Sequence, residues 1–298
     1  MDRAVRAVTA ALLCAALCIS LSLSGLAASP GDVTGDDAIT AADARVLLRA
    51  AVGLETLSDE QRAAADLDLD GAVTAADARI ALRAAVGLEL APETLSGSLY
   101  DALRGETCYV KLRVSDVEDL TVEYARAKGE KWFAFSVGGL RLSLVMDGDD
   151  VLLLDEDRRL YADFAEVQEM IETVGGGDAA DDFSADDIMR LAETYFGDAL
   201  RPLGEADYVQ ETEFDGKPCT AYIFFTEDGT QKLLMDGGRP VAMLRLNKLG
   251  RVQSTVRFDT VSAFVPAAPF EAKKSFTWVE DPSEILLPQL AALVEDGV

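Results

Sequence analysis

Carboxylates occupy every second position in Asp66-Leu-Asp68-Leu-Asp70, with Gly71 next and Asp77 twelfth in the series. A tight loop that turns oxygens inward from positions 1, 3, 5, 7 and 12 suits Ca2+, a hard cation that takes roughly six to eight oxygen ligands. Here those oxygens come from the carboxylates of Asp66, Asp68, Asp70 and Asp77 and the backbone carbonyl of Ala72. Gly71 stands at position 6, where the loop turns sharply and a positive φ is preferred. An earlier stretch follows the same plan, with Asp32, Thr34, Asp36, the carbonyl of Ala38 and Asp43 as its oxygens. It departs twice. Thr34 offers a neutral oxygen where the second loop has Asp68, and Asp37 replaces the turning glycine. Aspartate tolerates the left-handed region better than most residues, so the first loop can still close. Two calcium sites are therefore expected, the second the stronger because it has one more carboxylate.

Each loop leads into the same apolar stretch. Ala38–Glu55 and Ala72–Glu89 match at 15 of 18 positions when the chain is shifted by 34 residues. The differences are Ile39/Val73, Val46/Ile80 and Leu47/Ala81, all between apolar residues. Two copies make a paired module rather than a solenoid. In the second copy Ile80, Leu82, Val86 and Leu88 follow a rough helical spacing and Gly87 ends the helix. Val73 at loop position 8 is expected to pair with its counterpart in the other loop. A solvated acidic turn capping a helix would explain one such loop, but repetition at fixed spacing argues for metal.

Two loop–helix half-hands, each ending in Asp at position 12, resemble a type I dockerin from Gly31 to about Leu90. The resemblance implies paired EF-hand-like calcium loops and a helical face that docks on a cohesin module of a scaffoldin or surface protein. Its recognition positions 10 and 11 fall on Ala41 and Ala42 and on Ala75 and Ala76. The basic position falls on Arg49 and Arg83, beside Leu48 and Leu82. Leu48 and Leu82 suit either internal core or the partner face. Arg45, Arg49, Arg79 and Arg83 suit either a solvated helix or a partner surface, and their duplication favours the partner. Near-identical repeats also imply a face that can bind in two orientations.

The chain of 298 residues carries 53 acidic and 27 basic side chains and no histidine. A net charge of −26 argues against binding nucleic acid or anionic membrane surfaces. The lack of histidine excludes Ser-His-Asp and Cys-His catalysis and His-ligated zinc. Residues 1–28 have Arg3 and Arg6, then no charge from Ala7 to Ala28, with small residues at Gly25, Ala27 and Ala28. That is the layout of an export signal, an uncleaved membrane anchor being the rival. Cys14 and Cys18 each follow leucine and read as members of the apolar run. After cleavage the protein is secreted, or held at the cell surface through cohesin. Cys108 and Cys219 would then remain, either as one long-range disulfide or as two buried thiols.

Domain organisation follows: residues 1–28 export signal, 29–90 the all-α calcium module (repeats 32–55 and 66–89), 91–94 a linker, and 95–298 a mainly antiparallel β-sheet domain. In this α+β plan, strand-like segments cover Thr107–Ser115, Leu120–Lys128, Lys131–Val137, Leu140–Asp147, Val151–Asp155 and Arg158–Phe164. They resume at Tyr208–Phe214, Cys219–Thr226, Gln231–Met235, Val241–Asn247 and Val252–Ser262. A helical insert is expected near 164–174 and 184–196, and a last helix at Pro282–Val294. The run from Trp132 to Tyr161 and the segment Val261–Phe270 resemble the bacterial lipoprotein-carrier family, including outer-membrane lipoprotein sorting proteins, with Val261–Phe270 as the closing strand. That resemblance implies a half-barrel-like sheet with a concave apolar face for a lipid-like ligand. The competing reading is that its aromatics fill an ordinary core. A polysaccharide-degrading enzyme, the usual companion of a dockerin, would need two facing carboxylates. No pair stands out, and the aspartates between Asp178 and Asp187 read as a solvated loop, so a non-catalytic domain is expected.

Overall fold

The computed structural model describes residues 29–93, 98–115, 120–137, 139–148, 150–165, 167 and 201–295. The expected export signal, the aspartates of 178–187 and the helix expected at 184–196 lie outside them, as does most of the helix expected at 164–174.

Three helices form the N-terminal part: α1 (Ala41–Ala51), α2 (Asp59–Ala65) and α3 (Ala75–Ala85). Helices α1 and α3 begin alike. Thr40 and Thr74 sit at the N-cap in extended conformation, and each side-chain oxygen accepts the amide two residues on. Asp43 and Asp77 close the reciprocal half by accepting the amides of Thr40 and Thr74 at 2.8 and 2.7 Å. They end alike too. The amides of Leu54 and Leu88 reach back to the carbonyls of Arg49 and Arg83, while Gly53 and Gly87 adopt φ of 74° and 72°. This Schellman pattern needs a left-handed residue, which glycine supplies without steric cost. The two helices pack on each other through a cluster containing Ala44, Leu47, Ala78 and Ala81. The three pairs that differ between Ala38–Glu55 and Ala72–Glu89 all belong to this cluster or lie against it.

Helix α2 links the copies. Ser58 and Gln61 form its capping box, and the Gln61 amide also donates to the carbonyl of Val33 at 2.9 Å, fixing α2 to the first loop. The Ser-x-x-Gln spacing is a helix-start signal that the repeat pattern overshadowed.

The larger part is one open, almost wholly antiparallel sheet. Its strands in chain order are β2 (Cys108–Val114), β3 (Leu120–Ala127), β4 (Glu130–Val137), β5 (Leu140–Asp147), β6 (Asp150–Asp155), β7 (Leu160–Asp163), β8 (Tyr208–Phe214), β9 (Lys217–Thr226), β10 (Gly229–Asp236), β11 (Arg239–Asn247), β12 (Val252–Ser262) and β14 (Thr277–Trp278). Two short strands, β1 (Glu89–Leu90) and β13 (Val265–Pro266), pair separately. The main sheet runs β14-β7-β6-β5-β4-β3-β2-β12-β11-β10-β9-β8. It is two meanders joined where β2 meets β12, with a bulge between Phe258 and Thr260. The short Gly and Asp turns explain the meanders.

Side chains alternate across the sheet. Val110, Leu112, Tyr124 and Phe133 face a core closed by Tyr100 and Leu103, at and just after helix α4 (Leu99–Ala102). Trp132, Ala134, Val145 and Leu154 face the other way and pack against Ala272 of helix α6 (Ala272–Ser275), which follows α5 (Ala267–Phe270). The C-terminal helix α7 (Ser283–Glu295) lays Ile285 against Leu144, Leu153 and Ala162. Phe164 and Val167 join that cluster, so the start of the expected helical insert is apolar and buried.

One open alternative is decided and one expectation is revised. Cys108 and Cys219 are both buried free thiols, on different strands and in different core clusters, so no disulfide joins them. The segment Val261–Phe270 is not one closing strand: β12 stops at Ser262, and the chain turns away to form β13 and α5. Pro266 and Pro269 lack the amide that a continuing strand would need.

Candidate calcium centre and docking face

Both acidic loops are built around carboxylates that collect backbone amides. Asp32 accepts the amides of Gly35 (2.7 Å), Asp36 (3.1 Å) and Asp37 (2.8 Å). Asp66 accepts those of Asp70 (3.0 Å) and Gly71 (2.9 Å). Asp36 and Asp70 each accept the amide two residues on, from Ala38 and Ala72. At the closing position, one oxygen of Asp43 accepts the amide and hydroxyl of Thr34, both at 2.9 Å. The equivalent oxygen of Asp77 accepts the amides of Leu67 (2.7 Å) and Asp68 (3.2 Å). Asp43 and Asp77 therefore cap a helix and tie the loop to it with the same side chain.

Two backbone positions in each loop are left-handed. At position 6, Asp37 has φ 64° and Gly71 has φ 86°, as expected. Position 4 was not foreseen: Gly35 has φ 75°, and Leu69 has φ 54°. Each loop thus has one glycine for two strained positions, and they are opposite ones. The clue lay in Gly35, which reads as filler until the loop's hydrogen bonds are drawn.

Carboxylate oxygens of Asp32, Asp36 and Asp43 come within 4.8 Å of one another, and so do those of Asp66, Asp68 and Asp70. Asp77 is not part of the second triad, although it closes that loop. Oδ1 of Asp68 is buried and has no hydrogen-bond partner. A buried, unpartnered carboxylate oxygen is costly unless something positive meets it. Together with two neighbouring carboxylates it fits a hard cation better than a surface acidic turn. Burial, then repulsion from Asp77 and Asp70, raises the Asp68 carboxyl above the usual range. Asp66 is raised by burial and the same two neighbours, against the amide of Gly71. Asp43 lies below the usual range: burial pushes it up, but hydrogen bonds from Thr40 and Thr34 outweigh that. Residues able to hold calcium are thus Asp32, Asp36 and Asp43 in one loop and Asp66, Asp68 and Asp70 in the other. Thr34 and the carbonyls of Ala38 and Ala72 sit on the same loops, and Asp77 at the foot of the second.

The helix faces divide as follows. Leu47 and Ala81 are fully buried, whereas Leu48 and Leu82 are 49% and 46% exposed. Leu48 and Leu82 thus lie on the surface, not in the core. Val52, Leu54, Val86 and Leu88 extend that surface at matching positions. Ala41, Arg45 and Arg49 are exposed with Ala42 half-buried, and Ala75, Arg79, Arg83 and Ala76 repeat this. Arg49 pairs with Glu55 at 3.0 Å and Arg83 with Glu89, so each arginine is steered across its own helix end. Arg45 and Arg79 make no ion pair among the described residues.

The β-sheet domain is less suggestive. Trp132, Phe133 and Tyr124 are buried in core contacts, as the ordinary-core reading expected. A polar network lies on the Trp132 side: Tyr109 donates to Glu123 (2.6 Å), Arg141 to Glu123 (2.9 Å) and Glu156 (3.2 Å), and Trp132 to Ser143 (2.8 Å). Every member bonds another, which is what a structural network requires. A cavity of about 500 Å3 is lined by Arg201, Asp228, Gln231, Arg245, Leu246 and Gln253 among others. No helix among the described residues is long and apolar enough to cross a membrane.

Residues 30–83 match the family model described as dockerin type I domain, so the helical part of the chain is a type I dockerin. Type I dockerins bind calcium. No curated protein matches the chain. Among solved structures it is similar to an uncharacterized conserved protein from Thermus thermophilus, with 11% identity, a TM-score of 0.33, and coverage of 61% of this chain and 96% of that one. It is also similar to MucB, with 14% identity, a TM-score of 0.33, and coverage of 55% of this chain and 56% of that one. The Pseudomonas aeruginosa MucA/MucB complex shows 16% identity and a TM-score of 0.30, covering 55% and 54%. The chain spans about half the length of the MucB structures.

Proposed function

We propose that the dockerin binds two calcium ions, presents its duplicated helix face to a cohesin module, and so attaches the β-sheet domain to a cellulosome-like or cell-surface assembly. The observation that carries this reading is the pair of acidic loops, each feeding a helix with the same exposed side chains. Calcium supplies the positive charge that lets each loop's carboxylates sit together. Asp32, Asp36 and Asp43, with Thr34 and the Ala38 carbonyl, hold one ion. Asp66, Asp68 and Asp70, with the Ala72 carbonyl and Asp77, hold the other more tightly, because a fourth carboxylate replaces a hydroxyl. Asp43 and Asp77 transmit loop order to the helices, since each also caps one. The face offered to the partner is Ala41, Ala42, Arg45, Leu48 and Arg49, and in the other orientation Ala75, Ala76, Arg79, Leu82 and Arg83. Small alanines beside exposed leucines suit an apolar partner surface, with arginines at the rim. With residues 1–28 as an export signal, docking takes place outside the cell. The β-sheet domain, residues 95–298, is the non-catalytic passenger.

Calorimetric titration of the calcium-loaded mature chain against cohesins of the same organism tests this. Binding that disappears in chelator is expected. Absence of binding to every cohesin, with calcium bound, would overturn the docking assignment.

A further inference from the structure

Phe264 belongs by sequence to the end of the β-sheet domain, yet its ring is 1% exposed and packs in the dockerin core with Leu47, Leu57, Leu67 and Ala81. The neighbouring backbone is tied as well. Glu89 and Leu90 pair antiparallel with Pro266 and Val265, and the Ala267 amide donates to the Leu88 carbonyl at 3.1 Å. Val265 is itself buried, in the cluster around Trp132, so adjacent residues anchor in the two cores. The cluster that receives Phe264 also contains Val33 and Leu67, each fully buried and each next in sequence to the first carboxylate of a loop, Asp32 and Asp66.

We infer that the β-sheet domain is a structural part of the calcium module: Phe264 fills the core behind both acidic loops, and the seam of Leu88–Leu90 with Val265–Ala267 holds it there. Calcium affinity and helix order in the dockerin then depend on a residue some 200 positions away, and the passenger is held rigidly rather than tethered. The calcium part of this rests on the reading of the loops as metal sites. The geometry of the seam does not. A small helical module with few large buried side chains is marginal alone, so one aromatic is a large share of its core.

The test uses the mature full-length chain with calcium alone as the probe, and follows amide hydrogen exchange in parallel. Phe264→Ala is expected to weaken calcium binding about tenfold or more, because a cavity behind the loops loosens what the metal must order. Protection should fall in Ala41–Ala51 and Ala75–Ala85 while β3 to β5 keep theirs. Ala267→Pro changes no member of either core cluster and removes the donor across the seam, so it should produce the same changes in smaller measure. Unchanged affinity and helix protection in Phe264→Ala would overturn the inference. Should that variant lose protection in the strands too, Ala267→Pro decides, and wild-type behaviour there overturns it. Should the wild type bind no calcium, the metal reading falls and helix protection alone decides the coupling.

Discussion

The second loop concentrates its chemistry in Asp68, whose buried oxygen has carboxylates for neighbours and no donor. Asp68→Ala should therefore lower calcium affinity at that loop by about tenfold or more, since the loop would lose one of its charged ligands. Chelator-competition titration reads this, and an unchanged second site would remove Asp68 from the ligand set. Leu69 carries a different cost. A branched side chain at φ 54° is strained, and Leu69→Gly should relieve it, raising stability by up to about 1 kcal/mol with calcium present. A fall in the thermal midpoint would mean that Leu69's packing outweighs its strain. The ligand spacing and the Asp37 turn were legible because calcium loops are local: ligands and turn lie within 12 residues. Position 4 was not, since nothing in Leu69 advertises a left-handed backbone.

At the scale of elements, both loop–helix repeats and nearly every strand could be read from the chain, because period and turn residues are also local. Helix α2, the β2–β12 pairing and the fate of Val261–Phe270 could not. Pairing across about 140 residues leaves no trace in Cys108–Val114 or Val252–Ser262. Nor does the sequence around Arg141 announce that this side chain meets Glu123 and Glu156. That network has a pH signature. Burial pushes Glu123 up, but hydrogen bonds from Tyr109 and Arg141 and the charges of Arg141 and Lys111 bring it below the ordinary value. A carboxyl depressed in the folded state stabilises above its unfolded pKa of about 4.3, and that stability is lost as pH falls through the lower folded value. Glu123→Gln should destabilise the protein at neutral pH and flatten the decline in stability below about pH 4. Denaturant unfolding at a series of pH values measures both, and an acid limb as steep as wild type's would clear Glu123 of the role.

For the molecule as a whole, charge is the dominant condition: −26 over the chain, with seven candidate ligand carboxylates gathered in two loops. Calcium that binds only the folded loops adds stability by mass action, about 2.7 kcal/mol per site at a hundred times the dissociation constant. The thermal midpoint should rise with calcium and fall in chelator. Because the seam joins the two parts, both should melt in one calcium-dependent transition; a β-sheet transition indifferent to calcium would contradict that. Beyond their loops, over Ala38–Glu55 and Ala72–Glu89, the two repeats differ only at positions that turn inward, Ile39/Val73, Val46/Ile80 and Leu47/Ala81, whereas every exposed position of that stretch is duplicated. An approaching molecule meets two signatures written in the same hand, and the interior alone records which is which. What tells it up from down is the passenger, fastened at Leu88 and not at Leu54.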